Sequence, residues 1–430
     1  MTAIVIATPQ PVFPVSERFV GIARETTYGT AVNPAYTIPL TSFTPSDKPV
    51  WVMDEAWRGA MAGEYDMLQG PIWAETAFAG PVYGDTVGHL LYNILGDYTQ
   101  SATSTTPTTT LSSAVAYGVG TIPVATGTSF TNGMYVEVFQ SGSTGPAEIC
   151  QVSSSTSTTI VFSAATPIRF AHSSGATVTN TNVSAGTYTN TFTLLNGTVG
   201  QDAMGAGQPP SHTFTDRTQV PGSAGNLAAQ YAFGCLSQLT LTGSAQGIFM
   251  HSGNLTSFSY AQPSAAPTAN VSSVRATPNW RSTIGVNGTV SGSPVDDITE
   301  WEFALNRVVE PIPTTDGTQS PYTIARGKFT ATAKLTFQPS VDLSALTYML
   351  NNTQPQLQII YSNGLSGTSN ITYTINVQLG AFDTANINES SALFGYDVTA
   401  KLIANTTNGI GWSGSYSPIS IAIANSIPVY

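Results

Sequence analysis

The side chains that most often do chemistry are sparse in this chain and scattered along it. Its four histidines, His89, His172, His212 and His251, lie far apart, and none has the His-Glu-x-x-His or His-x-His spacing that puts two imidazoles on one metal. A lone histidine is ordinarily a packed or solvated residue. The two cysteines, Cys150 and Cys235, have no metal-ligand spacing and outline no disulfide framework. So few thiols suit assembly in a reducing cytosol. There is no Gly-x-Ser-x-Gly elbow for a hydrolase serine and no phosphate-binding P-loop. Gly118-Val119-Gly120 lacks the third glycine of a dinucleotide fingerprint and reads as a turn. Paired carboxylates are the one device that spacing cannot exclude, because a glycosidase can draw its two from distant strands. Asp54, Glu55, Asp66, Glu300 and Glu302 are available for that role. In a chain this poor in charge, the plainer reading is that they are solvated, with Asp296-Asp297 on the rim of a hairpin. No catalytic residue, cofactor site or metal site is expected.

The elements that carry these residues are mainly strands. From Lys328 to Gln338, Phe329, Ala331, Ala333, Leu335 and Phe337 alternate with Lys328, Thr330, Thr332, Lys334 and Thr336. Thr299–Arg307, Ile371–Leu379 and Tyr396–Ala404 alternate in the same way. Period-two alternation buries one face of a strand and leaves the other polar, which suits antiparallel sheets in a sandwich or barrel. Two short helices are predicted. Thr86–Leu95 has apolar residues at helical spacing and Gly96 as a stop, and Asp342–Asn351 has an acidic N-cap candidate before Leu343, Leu346 and Leu350. Each is expected to cover an edge or face of a sheet. Ser101–Ser112 is almost wholly Ser, Thr and Pro and reads as a linker; Ser184–Thr191 is a second polar stretch, and Ala261–Pro278 a long loop. Between the first two lies a compact strand pattern: Thr121–Ala125, Tyr135–Phe139, Glu148–Val152, Thr159–Phe162 and Ala176–Val178. The predicted organisation is a discontinuous core, 1–104 and 187–430, with a small β domain inserted at 111–185.

Only 9% of residues are charged, against roughly 25% in a typical soluble domain. Ser, Thr, Asn and Gly take the place of charges on the surface. Hydroxyls and amides can be buried against other copies more cheaply than charges can. The balance of 13 basic and 24 acidic side chains, net −11, argues against a protein that grips nucleic acid. It does not exclude a surface that DNA slides past, since an acidic wall repels phosphate. Met1–Pro14 is apolar but lacks a basic flank and is broken by prolines, so it reads poorly as a signal peptide. No run approaches a membrane span.

The stretch Phe19-Val20-Gly21-Ile22-Ala23-Arg24-Glu25-Thr26-Thr27-Tyr28-Gly29-Thr30-Ala31-Val32-Asn33-Pro34 resembles the opening of many siphophage major tail tube proteins. Tyr36-Thr37-Ile38-Pro39-Leu40, the extended loop Ser46–Asp66, the strand Ile72–Gly80 and the helix Asp85–Gly96 follow in that family's order. Ala232-Phe233-Gly234-Cys235, Leu239-Thr240-Leu241 and the hairpin through Leu255–Ala261 are similar to later elements of it. Pro167-Ile168-Arg169-Phe170-Ala171-His172 looks like a motif of modules inserted in larger members.

The resemblance implies an all-β tail-tube core with an outward-facing inserted module and no enzymatic activity. It implies hexameric rings that stack head-to-tail into a hollow tube in the virion, assembled in the host cytoplasm. The implied partners are other copies, a tape measure protein in the bore, and tail tip and terminator proteins; DNA passes without specific binding and no membrane is involved. Strand phase then makes Glu300, Glu302, Lys328 and Lys334 candidates for the bore; ordinary cross-strand pairing on a solvated sheet is the alternative. Ser46–Asp66, with Trp51, Asp54, Glu55, Trp57 and Arg58, is the candidate inter-ring loop; the alternative is that both tryptophans pack into their own core. Two other readings share the composition: a different virion structural protein, such as a head decoration or tail terminator subunit, and a carbohydrate-binding adhesin with Tyr135 and Phe139 as its aromatic face.

Overall fold

Alternating apolar and polar residues, with many β-branched and aromatic side chains, dictate strands over most of the chain. The computed structural model describes residues 15–59, 61, 63–100, 104–116, 118–139, 147–164, 166–168, 170–181, 187–195, 208–219, 226–263, 267–271, 274–338, 344–366, 369–388, 395–404, 417–427 and 430. In chain order it begins with β1 (Arg18–Arg24), β2 (Tyr36–Ile38), β3 (Ser42–Asp54), β4 (Asp66–Pro81) and helix α1 (Val87–Leu95). Then come β5 (Gly96–Gln100), β6 (Ser104–Thr110), β7 (Thr121–Pro123), β8 (Tyr135–Phe139), β9 (Ala147–Ser155), β10 (Thr159–Phe162), β11 (Thr177–Thr181) and β12 (Tyr188–Leu194). The second half adds β13 (His212–Gln219), β14 (Asn226–Ser244), β15 (Met250–Phe258), β16 (Ser282–Val286), β17 (Pro294–Val295), β18 (Ile298–Ile312) and β19 (Thr323–Phe337). Helix α2 (Ser344–Leu350), β20 (Leu357–Ser362), β21 (Thr372–Val377), β22 (Leu379–Asn388), β23 (Gly395–Ile403) and β24 (Ile419–Asn425) complete it. The fold class is all-β, as the alternation predicts.

An eleven-stranded sheet runs β2-β1-β13-β14-β18-β19-β23-β22, with β15, β4 and β3 extending from β14. A seven-stranded sheet runs β17-β16-β20-β21-β24-β12-β5. Their apolar faces share one core, Leu239, Phe303, Leu305 and Leu335 from the first sheet meeting Ile359, Tyr373, Ile375 and Ile421 from the second. Helix α1 is buried along its whole length. It lies between β14 of one sheet and β12 of the other, so it covers a face of each. Gly96 ends it in the left-handed conformation, φ 91°, its N–H donating to Tyr92 O. Helix α2 rests on β22, with Tyr348 stacked on Phe382 at 6.0 Å. Leu350, expected in the core, is exposed instead. Asp342 and Leu343 lie outside the described residues.

A six-stranded sheet, β6-β11-β8-β9-β10-β7, falls in sequence between β5 and β12, which pair with each other in the seven-stranded sheet. It has its own apolar cluster, including Ile122, Val136, Val138, Val152, Ile160 and Val178. The linker reading of Ser101–Ser112 is corrected here. Residues 104–110 form β6, paired with β11 from Thr110↔Thr177 to Ser104↔Thr181. A Ser/Thr/Pro composition lacks apolar alternation, yet β-branched threonines sit well on an exposed sheet edge. Likewise the polar stretch Ser184–Thr191 enters β12 at Tyr188. Tyr135 and Phe139, the adhesin candidates, are both half-buried, and Tyr135 packs against Ile149 and Tyr188.

Candidate functional site

The solvent face of the eleven-stranded sheet is set by strand phase. Phe303 and Leu305 point inward, so Glu300, Glu302, Ala304 and Asn306 point outward on β18. Register continues that face on both sides. Ser244, Thr242, Thr240 and Gln238 of β14 lie opposite them, and Thr336, Lys334, Thr332 and Thr330 of β19 lie on the other flank. Asp397, Thr399 and Lys401 of β23 extend it. The result is a broad surface of hydroxyls and amides with a few charges of both signs.

Of the bore candidates, Glu302 and Lys334 are direct cross-strand neighbours and Glu300 faces Thr336. Lys334 reaches Asp397 at 3.8 Å, and Lys401 reaches Asp383 at 3.6 Å. Asp397, Lys401 and Asp383 were not singled out from sequence, although the alternation of Tyr396–Ala404 carries the first two. Lys328 is not brought to the others. It sits with Gly327 in a β-bulge opposite Val308, and buried positions on β19 switch there from Ala331, Ala333 and Leu335 to Ile324 and Arg326. A groove of about 430 Å³ on the polar face is lined by Thr242, Ser244, Glu300, Glu302, Lys334 and Thr336, among others.

The segment Ser46–Asp66 is not an irregular loop. Its first part belongs to β3, which pairs with β4 as far as Asp54↔Asp66, so it forms a long hairpin arm. Beyond Trp73, the last β4 residue paired with β15, strand β4 continues outward with β3 as its only strand partner among the described residues, its base held by Ile72 N donating to Gln319 O at 2.8 Å. The arm is apolar on both faces: Val52 pairs with Leu68, Met53 with Met67, and all four are exposed. Trp51 is half exposed, and Trp57 and Met61 at the tip are fully exposed. Neither tryptophan packs into the core. Asp54 ends β3 and forms an ion pair with Arg58, whose guanidinium stacks over Tyr65 at 4.9 Å. Glu55 is exposed beside them. Alternation could not reveal this arm, because neither of its faces is buried.

The motif residues near the chain's beginning hold the frame rather than a ligand. Glu25 is buried and accepts hydrogen bonds from Gly29 N (2.8 Å), Phe233 N (2.7 Å), Ser211 Oγ (2.5 Å) and Thr213 Oγ1 (2.8 Å). Burial pushes its carboxyl above the ordinary range, and these four donors pull the other way. Gly29 has φ +74°, and a Cβ there would come within 2.6 Å of the Phe258 ring. Tyr28 stacks on Phe233 at 5.4 Å, and Phe233 itself has φ +55°. From α1, Asn93 Nδ2 donates to Gly234 O and Asn93 Oδ1 accepts from Leu236 N, both at 2.8 Å. The segment Pro167–His172 joins the six-stranded sheet to the main core. Phe170 enters that core edge-on to Tyr36 at 5.1 Å. Glu148 accepts from Phe170 N at 3.0 Å and lies 2.9 Å from His172 Nε2, both side chains fully buried. Arg169 lies outside the described residues.

The histidines do not converge on a reactive centre. His89 is pushed down to about 3 and His251 to about 4 by burial, and His212 also falls well below the ordinary imidazole range. Cys235 is buried and its thiol is raised to about 11. Among the described residues no group of three or more His, Cys, Asp or Glu could hold a metal ion. No helix among them is long and apolar enough to cross a membrane. The surfaces left to explain are therefore the polar face and the apolar arm, both of a kind used in association. A comparison with curated proteins finds no match. Residues 16–399 match the family model described as phage tail tube protein.

Proposed function

The chain belongs to the phage tail tube protein family, and from that premise we propose that it builds the tube of a siphovirus-like tail as stacked hexameric rings. Family membership makes it a structural virion protein of the tail, one that self-assembles into a tube alongside other tail proteins. The finer reading rests on one observation: a broad polar sheet face sits on the same sheet as an exposed apolar arm. In this reading the polar face lines the bore, with Glu300, Glu302 and Lys334 facing DNA and Lys328 nearer the arm. Hydroxyls hold water there, and no basic stripe is present to hold phosphates. The arm reaches the next ring, because exposed apolar area on both faces of a hairpin is stable only when a partner covers it. Trp51 and Trp57 are its anchors, with Asp54, Glu55 and Arg58 beside them. The six-stranded module faces outward. A tape measure protein fills the bore during assembly in the host cytoplasm, tail tip and terminator proteins close the ends, and DNA later passes without specific binding.

Electron microscopy of the purified protein at rising concentration tests this. Hollow tubes or hexameric rings with the polar face inward are expected. Subunits that stay monomeric even with tape measure and tip proteins present would overturn it.

A further inference from the structure

The pairing of β4 with β15 gives the eleven-stranded sheet two distinct ends. It runs from Trp73↔Phe258, where the arm begins, to Pro81↔Met250. At that second end, β14 turns into β15 through Ala245–Phe249, and β18 begins. A cleft of about 280 Å³ opens there between the two large sheets, lined by Ser244, Asn279, Trp280, Asp296, Thr299 and Trp301, among others. Asn279 N donates to Gly247 O at 3.0 Å, which fixes the cleft floor to the turn.

Three features of this cleft are unusual for a solvated surface. Asn279 is 1% exposed, and neither its Oδ1 nor its Nδ2 has a hydrogen-bond partner among the described residues. Trp301, 4% exposed, has no partner for its Nε1 among those residues either. Trp280, at 67% exposure, stands on the rim with the Arg281 guanidinium 4.6 Å from its ring. A buried amide left unpaired is costly, so such groups are normally satisfied by something. One free acceptor beside one free donor is the complement of the N–H and C=O of one residue in an extended backbone. The indole N–H offers a place for a second carbonyl. An exposed tryptophan beside them suits an aromatic or apolar side chain of the same peptide.

We propose that this cleft receives the tip of the β3–β4 arm from a second copy of the chain. The inference rests on the reading of the arm as the inter-ring contact. A tube built by head-to-tail stacking needs two different, complementary surfaces at opposite ends of one subunit. The arm leaves one end of the sheet, and the cleft lies at the other. The tip offers what the cleft lacks: the exposed side chains of Trp57 and Met61, and backbone beyond the ends of β3 and β4.

Cross-linking in assembled tubes tests this. Cys150 and Cys235 are both buried, so introduced thiols dominate the reaction. Tubes mixed from Trp57→Cys and Trp280→Cys subunits, treated with a short bismaleimide, should give cross-linked dimers, while tubes of either variant alone should not. Mixed tubes that form but give no dimer overturn the proposal. Asn279→Ala gives an independent readout. The concentration needed for assembly should rise about tenfold, while the melting temperature of the free subunit stays level or rises, because an unpaired buried amide has been removed. A lower melting temperature with unchanged assembly would make Asn279 a structural residue and remove its role here. Replacing residues 55–65 with Asn-Gly separates the two claims. If such subunits still build tubes of ordinary stability, the arm reading itself fails; if they do not, an absent cross-link counts against the cleft alone.

Discussion

Glu25 shows how one buried carboxylate can explain a whole sequence motif. It collects donors from its own turn, from β13 and from β14, so the Glu-Thr-x-Tyr-Gly stretch is a fastening rather than a binding loop. Glu25→Ala would strand two backbone N–H groups and two hydroxyls in the core and should cost about 3 kcal/mol or more. Glu25→Gln keeps one acceptor oxygen, and the hydroxyl beside the new amide can rotate to accept from it, but one backbone N–H, of Gly29 or of Phe233, loses its acceptor, so about 1–3 kcal/mol is expected, less than for alanine. Denaturant unfolding of the free subunit checks both; equal losses would show that the network does not depend on the carboxylate. The buried histidines set a pH limit. His89 and His251 titrate near 3 and 4 in the folded chain, because burial disfavours their charged form, against 6.5 for an ordinary histidine. Folded values below the unfolded one mean that the unfolded chain binds more protons. Stability is therefore complete above about pH 6.5 and falls as pH drops toward 4, by roughly 1.4 kcal/mol per pH unit for each such histidine. His251→Leu should flatten that slope by one histidine's share. A stability that stays level from pH 7 to 4.5 would contradict this.

At the scale of elements, the six-stranded module is joined to the core by more than its two chain crossings. Phe170 is buried against Tyr36, and Ile149 N donates to Ser426 O at 2.8 Å. Phe170→Ala should cost about 3–5 kcal/mol. Because the module has an apolar cluster of its own, the loss should fall on docking rather than on the module's sheet. Calorimetry would then show a single transition splitting into two; one cooperative transition, merely shifted, would mean that module and core unfold as a unit. The same two elements show what the sequence could reveal. β8 and β10 lie where alternation places them: β10 alternates half-buried and buried residues, and β8 carries Val136 and Val138 in the module's core, with Glu137 buried on its other face. β6 and the arm were read as linker and loop, because β6 is nearly all Ser, Thr and Pro and the arm is apolar on both sides. Neither shows a periodic signal, and only pairing with β11 or β4 makes them strands. Glu300, Glu302 and Lys334 were legible as one face because β18 and β19 alternate without interruption there. Lys328 was not, since a bulge depends on the partner strand and leaves no mark in local alternation. The cleft at Asn279 was beyond reach for a similar reason: it is built from two sheets that meet only in the fold.

At the scale of the whole molecule, the composition becomes intelligible as a surface specification. A net charge of −11 with so few charged residues argues against an electrostatic grip on DNA. Its polar sheet face carries Glu300, Glu302, Asp397 and Asp383 against Lys334 and Lys401, so that face is slightly acidic and otherwise rich in hydroxyls. If it lines the bore, repeated copies multiply the small excess along the tube, and passing phosphates meet weak repulsion instead of binding sites. Replacing Glu300 and Glu302 with lysine should leave folding intact, because both side chains point away from the core and neither makes an ion pair among the described residues. Tubes should still form. Release of DNA from particles carrying such tails should slow, and raising the salt should restore it, since exposed charges farther apart than about 8–10 Å are largely screened near physiological ionic strength. Time-resolved release at two salt concentrations, on wild-type and doubly substituted particles, measures this directly. Slowing that salt does not relieve would point to a steric or assembly defect. Release at the wild-type rate at low salt would mean that this face does not line the bore, and the exposed face of the sheet would then have to be sought on the outside of the tube.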